Sequence, residues 1–142
     1  GNSISSLNLL RLSVLRGKEE YRKQAEGMLT QVAAILPQHP TAFGCWLQSL
    51  DFFLGPVQEI ALLAQQGETS LLHPVRKQFL PNKVVARAEK ADGPLSKLIP
   101  LLNNKTAHRG QPTLYVCQNY ACQTPATDVA AVEKALEIRS TD

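Results

Sequence analysis

The sequence predicts an α/β fold: three amino-terminal helices, then a small three-stranded parallel sheet with flanking helices. Three observations carry this reading. Apolar residues recur at helical spacing through positions 1–54. Beyond Pro56, three short apolar runs alternate with helical patterns, as strand–helix–strand units do. The chain has 142 residues, 44% hydrophobic and 19% charged, which suits globular domains and excludes disordered or collagen-like chains.

The elements follow in order. Asn2 or Ser3 caps a helix running to about Arg16, with Ile4, Leu7, Leu10 and Val14 as its stripe, widened by Leu9 and Leu12. Gly17 stops it. A second helix runs from Glu19 to Leu36, with Tyr21, Ala25, Met28, Val32 and Ile35 on one face and Pro37 past its end. Pro40 suits the first turn of a third helix that Gly55 and Pro56 end. Trp46, Phe52 and Phe53 on that helix expose more apolar surface than two neighbours cover, which predicts a missing partner.

Strands are expected at Val57–Ala64, Lys83–Ala88 and Thr113–Gln118. Between them lie a helix capped by Thr69 or Ser70 and running through Leu80, a short helical piece at Pro94–Leu102 weakened by Pro100, and a polar loop at Asn103–Pro112. A closing helix spans Asp128–Arg139, capped by Thr127 or Asp128. The domain division is thus 1–54, helical, and 55–142, a small α/β lobe. The first strand is the most apolar and should be central; the second carries Lys83 and Arg87 and suits an edge. The expected order is 2-1-3, all parallel. Ligands of such sheets bind beyond the carboxyl ends of the strands, where the order reverses. That places a candidate pocket between Gln65 and Gln66 and the loop from Gln118 through Asn119 to Cys122.

Charge excludes little. The net charge is +3, but eight cations lie between Ser70 and Pro112 against Glu89 and Asp92 alone. That is a solvated face rather than a nucleic-acid surface, because Phe79 is its only aromatic. The longest apolar runs are about five residues, far short of the roughly 20 a membrane helix needs. Three cysteines do not make a disulfide scaffold, so a reducing, cytoplasmic compartment is expected. The chain opens on Gly1 with amphipathic pattern almost at once, as a piece of a longer protein would.

Few residues carry chemistry. Cys117 and Cys122, with four residues between them, do not form a C-x-x-C motif. They read as two small buried thiols under the last helix, with a redox pair as the alternative. Zinc is not expected, because only His108 lies nearby where four ligands are needed. No phosphate-binding loop, nucleophile elbow or dinucleotide fingerprint is present, and no cofactor is expected. His39, His73 and His108 lie in turns and loops as surface residues. Lys105, in a polar loop, is a candidate for carboxylate or phosphate contact.

Four segments together resemble one family: GNSISSLNLLRL at Gly1–Leu12, the stretch Ala42–Ile60 containing LDFFLGPVQEI, FLPNKVV at Phe79–Val85, and YVCQNYACQTPATD at Tyr115–Asp128. They are similar to the carboxyl-terminal region of the YyaL-like, spermatogenesis-associated thioredoxin-domain-containing proteins, across essentially the whole chain. The resemblance implies an upstream thioredoxin-like domain and a helical toroid like those of sugar epimerases and six-hairpin glycosidases. Residues 1–54 would then be the toroid's last hairpins, and Asn2 and Ser3 would line its pocket.

The expected function is therefore structural: a region closing the toroid and adding a lobe, with no complete active site of its own. Two alternatives stand beside it. One is the wall of a carbohydrate-processing pocket in an isomerase or hydrolase, although Asp51 is the only carboxylate on the third helix and such chemistry needs a pair. The other is a thiol redox partner acting through Cys117 and Cys122. The expected partners are the rest of a longer chain or a second copy, with no membrane and no nucleic acid.

Overall fold

A computed structural model describes residues 1–90, 93–119 and 121–137. It forms two compact units, Gly1–Pro56 and Val57–Asp142.

The first unit holds α1 (Asn2–Arg16), α2 (Glu19–Val32) and α3 (Gly44–Leu54). α1 packs on both other helices. Its stop is as expected: Gly17 adopts the left-handed conformation, φ 60 and ψ 33, and its N–H donates to the Ser13 carbonyl. Its start is not. Asn2 is already helical, Gly1 holds the cap position, and no side chain caps it. The Gly1 carbonyl accepts the Ser5 N–H instead. α2 ends at Val32 rather than Leu36, because the chain then tightens into three-residue turns, Ile35 N–H to the Val32 carbonyl and Gln38 N–H to the Ile35 carbonyl. α3 begins at Gly44, since Pro40 opens a turn in which Phe43 N–H donates to the Pro40 carbonyl.

The seam between α1 and α3 includes small polar residues. The hydroxyls of Ser6 and Ser49, both fully buried, are hydrogen-bonded at 2.7 Å. Leu10, Ala25, Leu29, Leu36 and Phe52 are buried. Phe52 is thus a correction: it is 2% exposed. Phe53 is half-buried under Arg22, whose guanidinium lies 4.2 Å from the ring centroid and donates to the Phe53 carbonyl at 3.3 Å. The exposed apolar residues are Ile4, Leu12, Ile35, Leu47 and, at 71%, Leu54. A groove of about 360 Å³ runs between Leu29, Leu36, Pro37, Leu47 and Leu50.

The second unit is built on β1 (Gln58–Leu63), β2 (Lys83–Ala88), β3 (Thr113–Gln118) and β4 (Ala121–Cys122). Among the described residues the sheet order is β2-β1-β3-β4. β1 is central and buried from Glu59 onward, and β2 is an edge, as the sequence predicts. β1 and β2 are parallel, with α4 (Leu72–Lys77) in the connection. α4 stops short of Leu80 because Pro81 has no N–H for the Lys77 carbonyl and disfavours a helical Leu80.

The expected all-parallel trio is corrected. β3 is antiparallel to β1, with Leu63 opposite Thr113 and Glu59 opposite Cys117, and the two-residue β4 is antiparallel to β3. The reason lies between β2 and β3. A parallel β3 would need the chain carried back to the start of the sheet, usually by a helix spanning its length. The helical piece breaks instead into α5 (Pro94–Leu98) and a 3-10 turn at Pro100–Leu102. A second short turn, His108–Gly110, follows, with Arg109 at φ 51. The chain therefore starts β3 at the end where β1 and β2 finish.

Side chains alternate across the sheet. Ile60, Leu62, Ala64, Leu114 and Val116 form one core with α4 and with α6 (Val129–Glu137). Asp128 caps α6, its carboxylate accepting the Ala131 N–H at 2.8 Å. The expected end of this helix, Ile138 and Arg139, lies outside the described residues. The other face carries Glu59, Ala61, Leu63, Thr113, Tyr115 and Cys117, and the turn at Pro100–Leu102 packs against β1 and β2.

Candidate functional site

The antiparallel β3 removes the expected crevice. Gln65 and Gln66 follow the finishing end of β1, whereas Gln118 and Asn119 lie at the opposite end, beyond Cys117, which faces Glu59. The sheet's length separates the two halves. Gln66 instead borders a cleft of about 620 Å³ at the carboxyl ends of β1 and β2, with Arg87, Glu89 and Lys90. Arg87 is tied back by donation to the Gln65 carbonyl. Asn2 is exposed and Ser3 half-buried in the first turn of α1.

Chemistry-bearing residues converge on the second face of the sheet. Two side-chain clasps lay the loop after the 3-10 turn along β3. The Tyr115 hydroxyl accepts the Thr106 N–H at 3.1 Å and donates to the Thr106 carbonyl at 2.7 Å. The Thr113 hydroxyl accepts the His108 N–H at 2.8 Å and donates to the Gln111 carbonyl at 2.9 Å. Asn104 takes the left-handed conformation, φ 58, at the bend before them.

The clasps bring Lys105 inward. Its ammonium lies 5.7 Å from the Tyr115 ring centroid, and the residue is 9% exposed. Burial lowers its pKa below the ordinary lysine value, and the negative charge of Glu59 opposes that shift. Glu59 is itself buried, at 4% exposed. Lys105 is therefore a buried lysine within the field of the buried Glu59 carboxylate rather than a solvated one. No local sequence signal marks this: Glu59 and Lys105 are far apart in the chain, and only the pairing of β1 with β3 joins their surroundings.

The cysteines lie at the end of the same strand. Asn119, φ 50, turns the chain from β3 into β4, which sets Cys122 opposite Cys117. They are joined as a disulfide, with S–S 2.09 Å and Cα–Cα 3.9 Å. This corrects the expectation of two buried thiols under the last helix. Cys117 is buried, at 2% exposed, but alternates with the core residue Val116 and so lies on the other face from α6. Cys122 is exposed. Tyr120, within the same loop, lies outside the described residues. Cys45 is a free, exposed thiol. Among the described residues, no group of three His, Cys, Asp or Glu side chains is placed to hold a metal ion. None of the helices described is long and apolar enough to cross a membrane.

The chain is 30% identical over 139 residues to spermatogenesis-associated protein 20 of Homo sapiens, an alignment covering 95% of this chain and 18% of that protein. The rat protein of the same name gives the same identity and coverage, and the mouse one 28%. The chain thus spans under a fifth of the length of the curated relatives it matches. No family model matches the chain, and no solved structure does.

Proposed function

We propose that the chain is a structural region of a longer, multidomain protein of the YyaL-like kind. In that reading the helical unit forms the last hairpins of an α/α toroid. The mixed-sheet unit is a lobe appended to it, and a thioredoxin-like domain stands elsewhere in the protein. The observation that carries the reading is coverage: likeness runs through 95% of this chain but 18% of its relative. The groove bordered by Leu47 and Leu50 and the exposed Leu54, Ile35 and Ile4 support it, as apolar surface that neighbouring hairpins would cover. The cytoplasm is the proposed compartment.

The test is physical. The chain alone is expected to associate with rising concentration in solution scattering and to bind an apolar dye, and Leu47→Glu with Leu54→Glu should abolish both. A cooperatively melting monomer that binds no dye would overturn the reading.

A further inference from the structure

We propose that Cys117–Cys122 is a thiol–disulfide exchange site with a fixed polarity: an incoming thiolate attacks the sulfur of Cys122, the exposed residue of the pair, and Cys117 is the leaving group. Its substrates are small or peptidyl thiols and dithiols. This goes beyond the structural role proposed above and does not depend on it.

Three observations carry the inference. Hairpin register, not distant packing, brings the cysteines together, so the bond can re-form after opening without refolding of the sheet. The two sulfurs belong to residues of unequal access. Cys117 is 2% exposed on the inner strand β3, on the face with Glu59, Tyr115 and Lys105, whereas Cys122 is on the exposed two-residue strand β4. Exchange needs the nucleophile to approach along the S–S axis, and access decides which sulfur is attacked. Finally, the chain after β4 is held to β3 without the disulfide: Gln123 N–H donates to the Val116 carbonyl at 3.0 Å, and farther on Leu114 and Ala126 exchange both backbone hydrogen bonds, at 2.8 and 2.9 Å.

The step balances as follows. A thiolate sulfur bonds Cys122, the Cys117–Cys122 bond breaks, and Cys117 departs with the electron pair and takes up a proton. With a dithiol, its second thiolate then displaces Cys122 from the mixed disulfide. The dithiol is oxidised by two electrons to its own disulfide, and its two thiol protons end on Cys117 and Cys122.

The experiment maps the first adduct. The 142-residue chain carrying Cys45→Ser is exposed briefly to reduced glutathione, quenched with an alkylating agent, and read by tandem mass spectrometry. Wild-type chain with Cys45 blocked beforehand is run in parallel. Glutathione is expected on Cys122 and the alkyl group on Cys117, by about tenfold or more over the reverse arrangement. Glutathione found on Cys117, or shared evenly, overturns the polarity. Two thiols that alkylate without any reductant overturn the site itself.

Discussion

The two faces of the sheet are built by different means. Toward α4 and α6, β1 and β3 present Ile60, Leu62, Leu114 and Val116, and burial of apolar area does nearly all the work. On the other face the same strands present Ala61 and Leu63 beside Glu59, Tyr115 and Cys117; Leu101 and Leu102 are buried at its 3-10 turn, and the Tyr115 and Thr113 clasps, the Lys105 ammonium and a disulfide are added to that apolar contact. One face depends on volume and tolerates chemical monotony. The other adds named partners to its apolar contact, and those additions should fail chemically: by pH, by reductant and by the loss of single polar atoms.

The largest expected effect breaks the apolar face. Leu62 is fully buried in the core with α4 and α6. Leu62→Ala removes buried methyl groups and leaves a cavity, costing about 2–5 kcal/mol in denaturant unfolding. The loss should be the same at pH 7 and pH 9, because no titrating group lies in that core cluster. A cost under about 1 kcal/mol would mean that the face is loosely packed and the contrast is false.

Lys105→Met tests the other face. It removes the ammonium that lies over the Tyr115 ring and that the Glu59 charge favours, and about 0.5–2 kcal/mol of stability at neutral pH should go. The pH signature separates this from packing loss. The folded-state pKa of Lys105 is lowered, so between that value and the ordinary lysine value the unfolded chain binds more protons. The Lys105 contribution to stability therefore improves as pH rises through the folded pKa toward the unfolded one. The stability gap between wild type and Lys105→Met should widen over that alkaline window. A gap that stays constant with pH would show that Lys105 acts only through its aliphatic stem.

These contrasts also explain what the sequence could and could not disclose. Periodicity is a local property. It located α1, the stop at Gly17, the central β1 and the edge β2. The direction of β3 is not in Thr113–Gln118 at all; it is set by whether the chain before it crosses the sheet, and the break at Ile99 and Pro100 prevents that. The candidate crevice failed with the direction of β3. Cys117 and Cys122 were legible as a pair of interest, but their bonding follows from the left-handed Asn119 turn and the antiparallel register it produces. Lys105 was legible as a candidate for carboxylate contact, but its burial was not, since a polar loop conceals that the Tyr115 clasp lays it along β3.

Tyr115→Phe removes the clasp while keeping the ring. Both hydrogen bonds to Thr106 are lost, and a cost of roughly 0.5–1.5 kcal/mol is expected. Amide exchange should sharpen the contrast more than the melt does. Thr106 N–H should lose protection, whereas Ile60 and Leu62 across the sheet should keep theirs. Uniform loss of protection would show that the two faces open as one.

The smallest effect places an acid response on the apolar side. α4 covers that face but has no side-chain cap; ahead of it, the Glu68 carboxylate accepts the Ser70 N–H at 2.8 Å. Hydrogen bonding to Ser70 lowers the Glu68 pKa below its ordinary value, with the charge of Arg87 adding to the shift. A carboxylate with a lowered folded pKa contributes stability that is present above its unfolded value and lost as pH falls through the folded one. Glu68→Gln should thus melt slightly below wild type at pH 7, and the two should converge in acid. The group is fully exposed, so added salt should shrink the part that comes from Arg87 and spare the part that comes from Ser70. If the difference instead grew in acid, the carboxylate would be destabilising the turn. The α4 edge would then be held without it, by ties such as the Lys83 ammonium donating to the Val75 carbonyl at 3.1 Å.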